Sequence, residues 1–222
     1  MQLLLGLWLT LQVSLCSYTI GLVFGLLGAA AKLSHRRSLR LGAGLYTMLV
    51  RALPELLLVL LAFYIGAGLA ERLAVFAGLA PKGFSLNPFV VAVVALGFIQ
   101  GAYITEVLRA AVLAIPRGQH DAARALNLPP LTYLGRIVAP QALTHALGGL
   151  GNIWLNATKD ASLISVLGIF SDVLKVSSLA AAATKHYVIF YAVAGAAFFI
   201  ITLISMALLE WLRRRLMPLH VT

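Results

Sequence analysis

One cysteine, Cys16, occurs in the chain, and it sits inside an apolar run. That count excludes a disulfide framework and a cysteine-based metal cluster, so Cys16 reads as a packing residue. Charge is scarce too. Charged side chains make up 11% of the 222 residues, whereas soluble chains carry about 25%. Acidic groups are the scarcest, seven against 17 Lys and Arg, for a net charge of +10. There is no glycine-rich phosphate loop, no nucleophile motif and no carboxylate pair at catalytic spacing. An enzyme reading has nothing to stand on, and the chain presents no cofactor or metal site of its own. No basic patch interleaved with aromatics accompanies the positive charge, so nucleic acid is not the expected partner. Lys and Arg gathered in cytoplasmic loops account for it instead.

What is present is apolar. Hydrophobic residues make up 61% of the chain and the mean hydropathy is +0.97, which implies one multispanning membrane domain over residues 1–222. Leu3–Ala31 holds no charged residue, and about 29 residues of helix exceed the ~30 Å hydrocarbon core. A signal peptide would want a basic start and a shorter run. The stretch reads as a first span, its N-terminus outside and Lys32 to Arg40 inside. A second span is expected over Tyr46–Gly68, with Arg51 and Glu55 four apart and able to pair near Pro54. Residues 69–88 form an external loop rich in turn residues.

Phe89–Ala114 is the third span. Gly97, Gly101 and Thr105 make a small-residue ridge suited to close helix packing. Gln100, Tyr103 and Glu106 drift along the opposite side, and Glu106 with Arg109 forms an i,i+3 pair. The fourth span opens at Pro140. Gln141, His145, Gly148/Gly149, Asn152, Asn156 and Lys159/Asp160 recur at helical spacing and fall within roughly one third of the circumference. Polar groups are costly in lipid, so this stripe faces protein or water. It is either a helix-packing seam or the wall of a translocation path. His145 alone suits a hydrogen-bonded packing residue better than a proton relay, and Lys159 can pair with Asp160. A last span covers about Tyr187–Leu209, followed by Arg213, Arg214 and Arg215. With five spans, 12 basic residues fall inside and five outside, which places the N-terminus out and the C-terminus in.

Residues 117–140 are the longest polar interruption. Read as a helix from about Gly118, they put Ala122, Ala123, Ala125 and Leu126 on one arc. Asp121, Arg124 and Asn127 lie on the other, and Asp121 falls in the first turn and pairs with Arg124. Pro129 and Pro130 end the helix. The segment resembles the loop signature of ABC-importer permeases: Glu-Ala-Ala, three residues, Gly, nine residues, Ile, one residue, Leu-Pro. Here the spacing runs Asp121-Ala122-Ala123, Asn127, Ile137, Ala139-Pro140. Asn127 replaces Gly, and Asn tolerates the left-handed backbone a Gly would supply. The stretch from Arg51 to Tyr64, Arg-Ala-Leu-Pro-Glu onward, is similar to the second span of histidine, basic amino acid and opine permeases. Gly-Ala-Tyr-Ile-Thr-Glu-Val-Leu-Arg-Ala-Ala at 101–111 and Lys-Asp-Ala-Ser-Leu-Ile-Ser-Val-Leu-Gly at 159–168 resemble the same family.

The resemblance implies an all-α, five-helix type I importer permease in the bacterial inner membrane. Its expected cargo is a basic amino acid (histidine, arginine, lysine, ornithine) or an opine. Glutamine or glutamate carriage is the alternative within the family, and a self-contained secondary transporter or a membrane scaffold lies outside it. The implied partners are a cytosolic ATPase dimer that binds ATP and Mg, a homologous permease or second copy, a periplasmic solute-binding protein and the lipid bilayer. A coupling loop over about 115–138 would dock on the ATPase through Gly118, Asp121, Ala122, Ala123, Arg124 and Asn127. Substrate would pass Gln100, Tyr103, His145, Asn152 and Asn156.

Overall fold

The computed structural model describes residues 1–216 and is helical throughout, with no strand among them. Helix α1, Gln2–Leu33, runs through the first expected span. α2, Arg37–Ala52, is a separate amphipathic helix. It ends because Pro54 disfavours helical backbone at the residue before it, and Leu53 is extended at φ −103°, ψ 150°. The chain restarts as α3, Glu55–Phe76, which includes a π turn at Ala62–Gly66. The second span is therefore Glu55–Phe76 rather than Tyr46–Gly68: Pro54 separates two helices instead of being absorbed near the start of one.

A turn with Gly78 and Gly83 at positive φ leads to α4, Pro88–Leu113. The side chain of Asn87 caps α4 by accepting from Phe89 N at 2.9 Å, and Pro88 takes the first helical position, where no amide donor is needed. α5, Arg117–Ala125, is the short polar helix. One α turn, Pro130–Tyr133, and a π turn, Leu134–Val138, feed α6, Ala139–Asp160. A 3₁₀ turn, Ala161–Leu167, then leads to α7, Val173–Thr184. The fully buried carboxylate of Asp172 caps α7, accepting from Leu174 N at 3.2 Å, Lys175 N at 3.3 Å and Ser165 Oγ at 2.6 Å. α8, Tyr187–Leu216, closes the described chain.

Four helices among the described residues, α1, α3, α4 and α8, are long and apolar enough to cross a membrane. α6 has 22 residues, but its polar stripe lowers its hydropathy below theirs.

The centre of the fold is the α1–α4 pair, the most extensive helix contact. The Gly97, Gly101, Thr105 ridge does face a partner, and α1 answers it with Gly21, Gly25 and Gly28. A Cβ on Gly25 would fall 2.2 Å from Ile104 Cγ2, so no larger residue fits there without moving a helix. α6 packs on α4 and is tied to α1 and α8. Tyr18 donates to the Leu150 carbonyl at 2.9 Å, and Trp154 Nε1 donates to Ser205 Oγ at 3.0 Å.

Candidate translocation site and coupling helix

Three elements converge on a polar cavity of about 420 Å³. The α2–α3 junction brings Arg51 and Glu55. α4 brings Gln100, Tyr103 and Glu106. α6 brings Asn152, Asn156 and Asp160, so the lower part of the polar stripe does line a cavity. Asn152 and Asn156 are exposed on the open side of α6. Their amides can exchange hydrogen bonds with a polar solute as it sheds water.

Glu55, Asp160 and the Tyr103 phenol line this cavity together, near enough for each carboxyl to act on the others. Two carboxylates this close repel each other until a proton or a cation sits with them. The Arg51 guanidinium lies 5.6 Å from the Tyr103 ring centroid and also faces a second cavity of about 450 Å³ toward Lys32 and Thr47. Arg51 and Glu55 do not form an ion pair, contrary to their spacing. Four residues apart means neighbours only within one helix, and Leu53–Pro54 breaks the helix between them. Likewise Asp160 faces the cavity with Glu55 and forms no ion pair with Lys159, because adjacent residues on a helix point in different directions.

Glu106 closes one end of the cavity. It pairs with Lys32 from α1 and accepts from Arg109 Nε at 2.9 Å. The expected Glu106–Arg109 pair is thus present, within a three-member cluster that ties α1 to α4. Of the expected path residues His145 lies away from the cavity, and Gln100 lines it only from within a helix seam. Gln100 is 3% exposed and reaches toward α1, its Nε2 3.5 Å from Ser17 Oγ and its Oε1 without a partner. It belongs to the α1–α4 seam more than to open space, and so lies beside the glycine ridge rather than opposite it. His145 is exposed and does not line the cavity, and Gln141 turns back to the Ile137 carbonyl at 3.0 Å.

α5 is stitched to the Pro130–Tyr133 turn ahead of α6 by a hydrogen bond between His120 Nδ1 and the Tyr133 hydroxyl. It stops before the prolines, at Asn127, whose φ of 46° is the left-handed value a Gly would supply. Leu128 N bonds back to Ala123 O at 3.1 Å, the six-residue closure of a left-handed helix cap. Asp121 lies in the second turn, since the helix begins at Arg117, and its pair with Arg124 is a loose, exposed 3.8 Å. Ala123 is buried within the chain itself, so the expected small-residue arc does not present both alanines. The outward set is Ala122, Ala125 and Leu126, with Leu131 exposed just beyond.

A bundle of apolar helices around a polar cavity, with a short amphipathic helix held outside it, is the architecture of a transport permease subunit. The chain belongs to the family of binding-protein-dependent transport system inner membrane components, whose sequence profile matches residues 21–218. It is 43% identical over 202 residues to the nopaline transport system permease protein NocQ of Agrobacterium fabrum, covering 90% of this chain and 84% of that one. It is 36% identical over 210 residues to the histidine/lysine/arginine/ornithine transport system permease protein HisQ of Escherichia coli, covering 95% and 91%. A crystal structure of an amino acid ABC transporter with histidines superposes with a TM-score of 0.81 at 29% identity, covering 96% of this chain and 94% of that one. An inward-facing methionine ABC transporter, MetNI, shares the fold at TM-score 0.78 and 17% identity.

Proposed function

We propose that this chain is the permease subunit of an importer for basic amino acids or opines in the bacterial inner membrane. The observation that carries the reading is the Glu55–Asp160 carboxyl pair in a cavity also lined by Tyr103, Asn152 and Asn156. A guanidinium or ammonium entering there relieves the repulsion between the two carboxyls. Asn152 and Asn156 take over hydrogen bonds from its hydration shell, and Arg51 at the rim can meet its carboxylate. An acidic solute would meet repulsion from the same pair, which speaks against glutamate. Relatives that carry nopaline or histidine, lysine, arginine and ornithine by name support the same class.

In this reading α1, α3, α4, α6 and α8 are five spans, N-terminus outside and C-terminus inside, in one permease domain. The segment over about 115–138 faces the cytosol. Two ATPases binding ATP and Mg would receive α5 through Ala122, Asp121 and Leu126, with Gly118 and Arg124 alongside. A second permease, identical or homologous, and an external solute-binding protein complete the assembly. Motion of α5 reaches the cavity by a short route. The His120–Tyr133 bond and the asparagine-capped turn make α5 move with the Pro130–Tyr133 turn that leads into α6, and α6 carries Asn152, Asn156 and Asp160. The π turn Leu134–Val138 lies between them, a place where a helix can bend. Closure of the ATPases would thereby change access to the cavity between two arrangements.

The test is ATP-dependent uptake in proteoliposomes holding the whole assembly, with radiolabelled arginine competed by histidine, nopaline, glutamine or glutamate. Competition by the cationic amino acids and the opine supports the proposal. Competition by glutamate alone overturns it.

A further inference from the structure

The amphipathic helix α2 has no part in the path beyond Arg51, yet its outer surface is strongly two-natured. Thr47 and Val50 are buried against the bundle, and the Tyr46 hydroxyl donates to the Phe98 carbonyl at 2.6 Å. That fixes which face looks inward. On the outward face Leu41, Leu45, Met48 and Leu49 are each more than half exposed, on one helical arc. Arg36, Arg37 and Arg40 are exposed at the leading end. No acidic residue occurs between Lys32 and Leu53. None of the three arginines forms an ion pair among the described residues, and Arg40 makes only a 3.4 Å hydrogen bond to the Ser34 carbonyl.

The other exposed arginine cluster differs. On α8, Arg213 and Arg214 pair with Glu210 at 3.9 and 3.0 Å, and Arg215 lies 5.1 Å from the Trp211 ring centroid. Those cations have internal partners. The α2 cations face outward, beside an apolar arc that would meet acyl chains.

We infer that Arg36, Arg37 and Arg40 form a binding site for the phosphodiester headgroups of anionic phospholipid, with Leu41, Leu45, Met48 and Leu49 lying against the acyl chains. Charge complementarity selects the occupant. An unpaired basic edge continuous with an apolar helix face fits an anionic lipid of the cytoplasmic leaflet, where each nearby Lys or Arg strengthens attachment. A neutral headgroup offers the same phosphate but adds a fixed positive group, and so gains less. The inference rests on the membrane orientation proposed above and is independent of the substrate.

The test is native mass spectrometry on the full chain in the assembly it forms, delipidated and exchanged into mixed micelles holding equal phosphatidylglycerol and phosphatidylcholine. The unaltered chain should retain phosphatidylglycerol over phosphatidylcholine by about tenfold or more. The triple variant R36Q/R37Q/R40Q should lose most of that preference. R36K/R37K/R40K should keep it, and R213Q/R214Q/R215Q should keep most of it. Equal retention of the two lipids by the unaltered chain overturns the site and implies a protein neighbour over α2. An undiminished preference in the α2 glutamine variant overturns it too, as does an equal loss in the α8 variant. Should the glutamine variant fail to assemble, raising the salt on the unaltered chain reads the same electrostatics and should erase the preference. Cysteine labelling of the loops tests the orientation separately, so failure of the site and failure of the orientation are told apart.

Discussion

Glu55, the first residue of α3, and Asp160, the last of α6, face the same cavity although 105 positions separate them. Neutralising either leaves one carboxyl for a cationic substrate, and neutralising both leaves none. A charge-assisted hydrogen bond is worth about 1.5–3 kcal/mol, or roughly ten- to hundredfold. Glu55→Gln and Asp160→Asn should each lower uptake of arginine at limiting concentration by about tenfold, and the double variant should nearly abolish it. ATPase association should be unchanged by pull-down. Uptake that rises on neutralisation would point to an acidic cargo.

Arg51 and Glu55 give a second prediction, about energy rather than transport. A double-mutant cycle with Arg51→Gln and Glu55→Gln should show coupling near zero in thermal unfolding, because the break at Leu53–Pro54 keeps the two from pairing. A cycle with Lys32→Met and Glu106→Gln should show coupling of about 1–2 kcal/mol, since that pair joins α1 to α4 in half-buried surroundings.

Topology is checked with cysteines in a Cys16→Ser background. Leu79→Cys, on the exposed turn after α3, should react with a membrane-impermeant maleimide from outside. Gly118→Cys should react only after permeabilisation. The reverse pattern would reject the N-out orientation that the basic-residue asymmetry implies.

The long spans were readable because a bilayer demands about 20 apolar residues in a row, and that demand is written locally. The asparagine stripe was readable too, since 3.6-residue periodicity survives without knowledge of neighbours. What escaped was contact between distant elements. Glu55 and Asp160 each had a basic residue close by in sequence, and local pairing hid their convergence on one cavity. Gln100 does line the cavity, but its neighbour Ser17 is one that only the α1–α4 packing brings near. The division of residues 37–76 into two helices turned on Leu53. A proline at a helix start and a proline between two helices leave the same letters.

The alanines of α5 supply the last prediction, and their difference in burial makes it sharp. Ala122 is exposed beside Asp121, whereas Ala123 is buried in the chain's own fold. Trp at 123 must displace neighbours within the permease, and overpacking of that kind costs about 1–3 kcal/mol. Ala123→Trp should therefore lower the unfolding temperature of the permease, and any loss of transport would come with loss of fold. Trp at 122 projects into open space and leaves the permease intact. If α5 enters a groove on an ATPase, Ala122→Trp should keep its melting temperature, lose ATPase binding by at least about tenfold and stop uptake. Thermal unfolding and a pull-down with the ATPase, run on both variants, separate the two effects. Normal binding and uptake in Ala122→Trp would mean that this face of α5 meets only solvent, and the coupling role would have to be sought on Leu126 and Leu131 instead.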